Sequence, residues 1–194
     1  MNHRRVSVFC ASSAKVNGCY LEAAHQLGQV LTEAGIAANY GGGAVGLMGS
    51  LADSMLSAGG SIRGIIPRFM VEQGWNHRAL KDILIVSDMH ERKKRLAEEI
   101  DAIIALPGGV GTLEELLEMI TLKQLGQVLV PIIILNTNNF YDPFLELLDR
   151  MVEEQFMREI HRDIWTVVEK PGQVLDAIDN APEWDGSAIK YAPA

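Results

Sequence analysis

Cysteine is scarce in this chain. Cys10 and Cys19 are the only two, too few for a disulfide framework or a multi-cysteine zinc site, so a reducing compartment, the cytoplasm, is expected. Long apolar runs are missing as well. The longest, Val128–Leu135, has eight residues, whereas a helix spanning a bilayer needs about 20. Arg4 and Arg5 precede only a short apolar stretch, so no cleaved signal peptide is expected. Basic charge is in deficit: 17 Lys and Arg against 25 Asp and Glu, net −8. That balance opposes non-specific nucleic-acid binding, yet it leaves room for a small anion held by backbone N–H groups and a few local cations. The five histidines show no metal-ligand spacing, so no catalytic metal is expected; no cofactor is expected either. There is no nucleophile elbow, no Gly-Lys-Ser/Thr phosphate loop and no evident Cys–His pair.

What is present is an ordinary globular balance, 48% apolar and 22% charged, with no repeat and no low-complexity linker to divide it. One α/β domain over residues 1–180 is expected, followed by a loose tail, 181–194. Strand-like runs alternate with helical patterns. Strands are expected at Val6–Cys10, Ile36–Tyr40, Ile62–Ile66, Ile83–Val86, Ala102–Leu106, Pro131–Leu135 and Trp165–Val168. Leu21, Ala24, Leu27, Leu31 and Ala34 recur at helical spacing before Gly35. Asp88 and Glu91 can cap a helix, Thr112 opens another, and Asp142-Pro143 reads as a cap followed by proline in the first turn. Residues 68–79 are the least regular, a lid or simply a connection. This alternation predicts a Rossmann-like, doubly wound parallel sheet with helices on both faces. Ligands of such sheets sit at the carboxyl ends of the strands, which directs attention to the loops after Cys10, Tyr40 and Leu106.

The loop after Leu106 reads Pro107-Gly108-Gly109-Val110-Gly111-Thr112-Leu113-Glu114-Glu115. Glycines allow close backbone approach, and a helix N-terminus adds free N–H donors and a positive dipole end, which together suit phosphate. A tight turn with Thr112 and Glu115 in a capping box is the alternative. The loop Gly41-Gly42-Gly43-Ala44-Val45-Gly46 has dinucleotide-fingerprint spacing, but it follows the second strand, and Arg63 stands where an acid would bind a ribose. Gly42 and Gly43 read better as a second wall of one phosphate pocket. Ser12 and Ser13 can donate hydrogen bonds to it or merely form a turn. In Asp88–Arg95, four cations crowd the early turns of a helix, where the dipole favours anions. A solvated basic face explains most of them, while the position of Arg92 after a strand favours a functional role. Glu114, Glu115 and Glu118 follow the glycine loop. A carboxylate beside a phosphate is costly unless it has a task, and steadying an oxocarbenium-like sugar during N-glycosidic cleavage is one.

These segments together resemble the LOG (“lonely guy”) family. Pro107–Glu115 fits its PGGxGTxxE signature, and Met89-His90-Glu91-Arg92-Lys93 fits its MHxRK pattern. Val8–Ser13 and Gly41–Gly49 are also similar, so the resemblance spans about residues 4–180, with Ala11 standing where the opening motif often has glycine. The resemblance implies a cytokinin riboside 5′-monophosphate phosphoribohydrolase, which splits a purine nucleoside 5′-monophosphate into free base and ribose 5-phosphate. It implies a homodimer with the site near the subunit interface; from the charge balance and the short apolar runs, no nucleic-acid or membrane partner is expected. By position, Glu115 becomes the catalytic carboxylate and Arg92 its partner. The loop Gly108, Gly109, Val110, Gly111 and Thr112 would hold phosphate or ribose, Lys93 would contact substrate, and Thr121 would line the pocket. Family members are often labelled lysine decarboxylases, an activity that needs a pyridoxal phosphate lysine which nothing in the sequence suggests. A non-catalytic nucleotide or cofactor carrier on the same fold remains the other reading. The stretch Glu72–Arg78, with Trp75 and His77, departs from what the resemblance leads one to expect near the base.

Overall fold

The computed structural model describes residues 4–191. Seven strands form one sheet: β1 (Arg5–Phe9), β2 (Ala37–Tyr40), β3 (Ile62–Pro67), β4 (Asp82–Val86), β5 (Ala102–Ala105), β6 (Ile132–Leu135) and β7 (Trp165–Val168). Their order is β4-β3-β2-β1-β5-β6-β7, and every neighbouring pair is parallel. The helices are α1 (Gly18–Glu33), α2 (Gly46–Ser57), α3 (Arg68–Glu72), α4 (Met89–Leu96), α5 (Val110–Gln124), α6 (Asp142–Glu153) and α7 (Val174–Asp179). The expected doubly wound architecture is therefore the observed one.

Strand alternation builds two cores. Val6, Val8, Ile104, Ile133 and Leu135 face one side, where Leu27, Leu31, Leu51 and Met55 of α1 and α2 cover them. Phe9, Ile103, Ala105, Ile132 and Ile134 face the other, under Leu116, Met119 and Ile120 of α5 and Leu148 of α6. Central strands buried on both faces read as continuous apolar runs, which is why they stand out in the sequence. β1 lies between β2 and β5. The chain winds away from it in both directions, so a crevice opens at its carboxyl end.

Several boundaries differ from expectation for local reasons. α5 starts at Val110 with Gly109 as its cap and no side-chain cap bond. Thr112 thus lies inside the first turn, and the Thr112–Glu115 capping box does not form. α6 starts at Asp142, with Tyr141 in the cap position. The Asp142 carboxylate instead accepts from Asn136 Nδ2 at 2.7 Å, tying the helix to the end of β6. Asp88 caps α4 as the pattern predicts, accepting from Glu91 N at 2.8 Å, while Glu91 Oε2 accepts from Ser87 N. The irregular segment 68–79 holds the short α3, then an extended stretch lying against residues 42–44.

The segment after α7, expected to be loose, is held in place. Trp184 Nε1 donates to the Lys123 carbonyl at 2.6 Å, Ala188 is buried, and a 3-10 turn runs over Gly186–Tyr191. The last residues of that expected tail, 192–194, lie outside the described residues. Beneath the tail, Lys123 is buried, donates to the Val130 carbonyl at 3.0 Å and places its ammonium 5.9 Å from the Trp184 ring centre. No helix among the described residues is long and apolar enough to cross a membrane.

Burial lowers the Lys123 pKa to about 8. Below that pH both folded and unfolded chains hold the proton. Between about 8 and the ordinary lysine value of roughly 10.4 the unfolded chain binds more protons, so this residue's contribution to stability rises with pH. Cys10, Tyr40 and Tyr141, whose pKa values burial pushes up, act in the opposite sense. The wild type minus Lys123→Met difference in unfolding free energy, measured by urea titration from pH 7 to 10.5, cancels those groups and should climb across this window.

Candidate active site

The crevice at the end of β1 collects three loops and two helices. Leu106 N donates to the Phe9 carbonyl at 2.9 Å and Ala11 N to the Pro107 carbonyl at 3.3 Å, joining the loops after β1 and β5. Met48 N donates to the Ala11 carbonyl at 3.1 Å, bringing in the loop after β2. α4 enters from the end of β4 and α5 from the end of β5.

At the centre lies a buried ion pair. Arg92 Nη1 donates to Glu115 Oε1 at 2.5 Å, and the two residues are 5% and 6% exposed. Arg92 Nε also donates to the Ile65 carbonyl at 3.1 Å, so β3 fixes the plane of the guanidinium. Burial raises the Glu115 pKa above the ordinary carboxylate range, and the charge and hydrogen bond of Arg92 pull against that rise. Cys10 sits nearby; burial, then the Glu115 charge, push its pKa up, so the thiol is no ready nucleophile at neutral pH.

The remaining cations of α4 separate by helical phase. Arg95 pairs with Glu98 at 2.9 Å and Lys94 with Glu98 at 3.9 Å, both at the surface. The solvated-face reading fits these two. Lys93 is different: its Nζ lies 2.9 Å from Glu114 Oε1 and 3.1 Å from Glu118 Oε2. Those two hydrogen bonds raise its pKa. The ammonium expected to touch substrate is thus engaged by the two carboxylates that flank Glu115 on α5.

The glycines divide into two kinds. A Cβ on Gly41 would stand 2.2 Å from Arg92 Nη2, and one on Gly108 2.1 Å from Thr112 Oγ1. A Cβ at Gly108 would run into the Thr112 side chain, and one at Gly41 would displace the ends of Arg92 and Met48. A Cβ on Gly109 or Gly111 would meet nothing within 4 Å, so nothing inside the protein explains their small size. Both are exposed, Val110 between them is 84% exposed, and their amides open α5 with no side-chain cap. This surface matches an external anion, with N–H donors and the positive helix end facing solvent.

Not every expected site residue converges on the pair. Thr112 is buried in the first turn of α5, one turn before Glu115. Gly42 and Gly43 line the loop beside Arg92, but the Gly42 carbonyl accepts from His77 N at 2.9 Å, and Gly43 pairs with Asn76. Ser12 is exposed in the loop after β1, whose backbone lies against Gly46. Thr121 lies on the exposed side of α5 and donates to the Leu117 carbonyl at 2.8 Å, facing away from Arg92 and Glu115 within one chain. Gly41, absent from the expected set, abuts Arg92 directly. In a run of three glycines nothing in the sequence singles it out, except that it comes first after the strand.

A family model described as “possible lysine decarboxylase” matches residues 48–178. The chain is 46% identical over 160 residues to the probable cytokinin riboside 5′-monophosphate phosphoribohydrolase LOGL1 of Oryza sativa subsp. japonica, covering 82% of this chain and 72% of that protein. It is 41% identical over 185 residues to the rice enzyme LOG, covering 94% and 76% of the two chains. It is 40% identical over 188 residues to LOG2 of Arabidopsis thaliana, covering 96% and 88%. Among solved structures, the molybdenum cofactor carrier protein of Chlamydomonas reinhardtii superposes with a TM-score of 0.70 at 18% identity, covering 93% of this chain and 98% of that one. At that identity the likeness speaks for the fold alone. The family-model match over residues 48–178 and the identity of 40–46% over most of the chain place this chain in the family of the LOG phosphoribohydrolases.

Proposed function

We propose that the protein hydrolyses the N-glycosidic bond of purine nucleoside 5′-monophosphates, of cytokinin or adenosine type, releasing free base and ribose 5-phosphate. The observation that carries this reading is the buried Arg92–Glu115 pair one helical turn below the open glycine N-terminus of α5. One turn is about 5 Å, the span of a ribose between its 5′-phosphate and its anomeric carbon. The 5′-phosphate rests on the amides of Gly109–Thr112. The C1′–N9 bond breaks with its electron pair passing to the base, and the sugar gains oxocarbenium character. The Glu115 carboxylate steadies that charge and orients a water. The water oxygen bonds to C1′, one water proton passes to Glu115, the departing base takes up a proton from solvent, and Glu115 returns its proton to solvent. Burial raises the Glu115 pKa, which makes this carboxylate a better proton acceptor than an ordinary glutamate. Arg92 holds the carboxylate in place through a charge-assisted hydrogen bond.

The same reading accounts for the apolar residues left open on α5. Val110 and Leu117 are exposed on the side that also carries Thr121; a second subunit of a homodimer would cover them and bring Thr121 to the edge of a site. The free thiols of Cys10 and Cys19 fit a cytoplasmic setting.

Incubation with AMP and isopentenyladenosine monophosphate, followed by chromatography, should show free base. Glu115→Gln and Arg92→Ala should each lower turnover by about 10²-fold or more, the scale for losing a general base or an electrostatic stabiliser. Undiminished release by either variant overturns the assignment. The acidic limb of kcat/KM should fall at a pH above the ordinary glutamate value of about 4.3, and it should vanish from the residual activity of Glu115→Gln. The two kinds of glycine should separate kinetically. Gly41→Ala, which pushes the guanidinium aside, should cut kcat by up to about 10²-fold. Gly109→Ala should leave the melting temperature unchanged and raise KM.

A further inference from the structure

We propose that His77 is a positioning residue for the Arg92–Glu115 pair: it clamps residues 75–77 to α2 and thereby fixes the glycine loop on which the Arg92 guanidinium rests. The inference builds on the proposed hydrolase reading and adds a residue outside both family signatures.

His77 is buried, at 7% exposure. Its ring is engaged at both nitrogens. Ala79 N donates to Nδ1 at 3.3 Å, which leaves the proton on Nε2 to be donated to Asp53 Oδ1 of α2 at 3.0 Å. The backbone around it makes consecutive contacts to the loop after β2. Ala44 N donates to the Trp75 carbonyl at 3.1 Å, Asn76 pairs antiparallel with Gly43, and His77 N donates to the Gly42 carbonyl at 2.9 Å. The loop has left the sheet by this point, because the last β2 residue in register is Tyr40. Gly41 adjoins these bonded residues, and its missing side chain is the space that Arg92 Nη2 occupies. The route is therefore short: α2 holds His77 through Asp53, residues 75–77 hold residues 42–44, and the loop forms one wall of the guanidinium slot. Ile65 supports Arg92 from the other side through its carbonyl. With the clamp released, the arginine keeps its partner but loses a rigid wall.

Two variants test this. His77→Ala removes the ring. Asp53→Ala removes only its acceptor, at a site where the carboxylate is 73% exposed, so the fold tolerates it. Each should lower kcat, by about 10-fold and about 3-fold respectively, with KM for the nucleotide changed less than about 2-fold, the pattern of an interaction felt in the transition state. His77→Gln keeps an N–H for Asp53 and should recover most of the rate. In an Arg92→Lys background the His77→Ala loss should largely disappear, because both changes disturb the same wall and are not additive. Amide hydrogen exchange at Ala44 and His77, the two N–H groups that join the segments, should quicken in Asp53→Ala. Unchanged kcat in His77→Ala, full additivity with Arg92→Lys, or unchanged exchange at Ala44 and His77 would each overturn the clamp. If the wild type itself released no base, the hydrolase reading would fall, while the exchange measurement would still decide whether His77 holds the loop.

Discussion

Taking a guanidinium and a carboxylate out of water costs several kcal/mol for each ion, and their mutual attraction offsets that only when geometry and extra hydrogen bonds are favourable. Arg92 and Glu115 meet those conditions barely: one short contact joins them, and one backbone carbonyl, from Ile65, supports the arginine. A matched apolar pair would serve stability as well. What apolar side chains could not supply is a carboxylate whose pKa burial raises, held in a fixed position one turn from the uncapped amides of α5. The surroundings of the pair are arranged around that requirement. Gly41 makes room for the guanidinium, β3 sets its plane, and Lys93 binds the two carboxylates that would otherwise add to the negative charge around Glu115.

The sheet supplies the place. With β1 flanked by β2 on one side and β5 on the other, the loops leaving these three strands meet at the carboxyl end of β1, the switch point of the sheet. α4 and α5 reach this point from strands on opposite sides of β1, so the two halves of the ion pair come from the two halves of the fold. The relation of α4 to α5 is therefore fixed by the register of the sheet and by the core of Leu96, Leu116 and Met119 beneath the helices. The same α5 carries the uncapped amides at its start and the packed Lys123–Trp184 contact at its end. Its placement is held at both extremes.

Much of the fold was legible because its signals are periodic or local. Buried central strands show as unbroken Ile, Val and Ala runs, and α1 shows its inner face at helical spacing. Asp88 announces the start of α4 through its own side chain. The sequence pattern points to a start of α5 two residues late, because Gly109 has no side chain with which to announce a cap. The tail reads as loose in sequence because one tryptophan among prolines and a glycine carries no periodic signal, although one indole N–H and one buried alanine are enough to seat it. In the basic run of α4, adjacent residues Arg92, Lys93 and Lys94 look alike in sequence, yet successive helical positions turn them to a buried carboxylate, a pair of flanking carboxylates and the solvent face.

The sequence by itself determined the strand–helix order, the two glycine loops, and the residue types able to bind a phosphate and steady a sugar cation, since these depend on short-range spacing and side-chain chemistry. Tertiary structure alone decided that Arg92 reaches Glu115 and not Glu114, that Lys93 is engaged by its neighbours on α5, that Thr121 faces outward, and that His77 meets Asp53. Those outcomes depend on how strands far apart in the chain pair and on which way each helix is rotated over the sheet, and such distances are set by packing of the whole core.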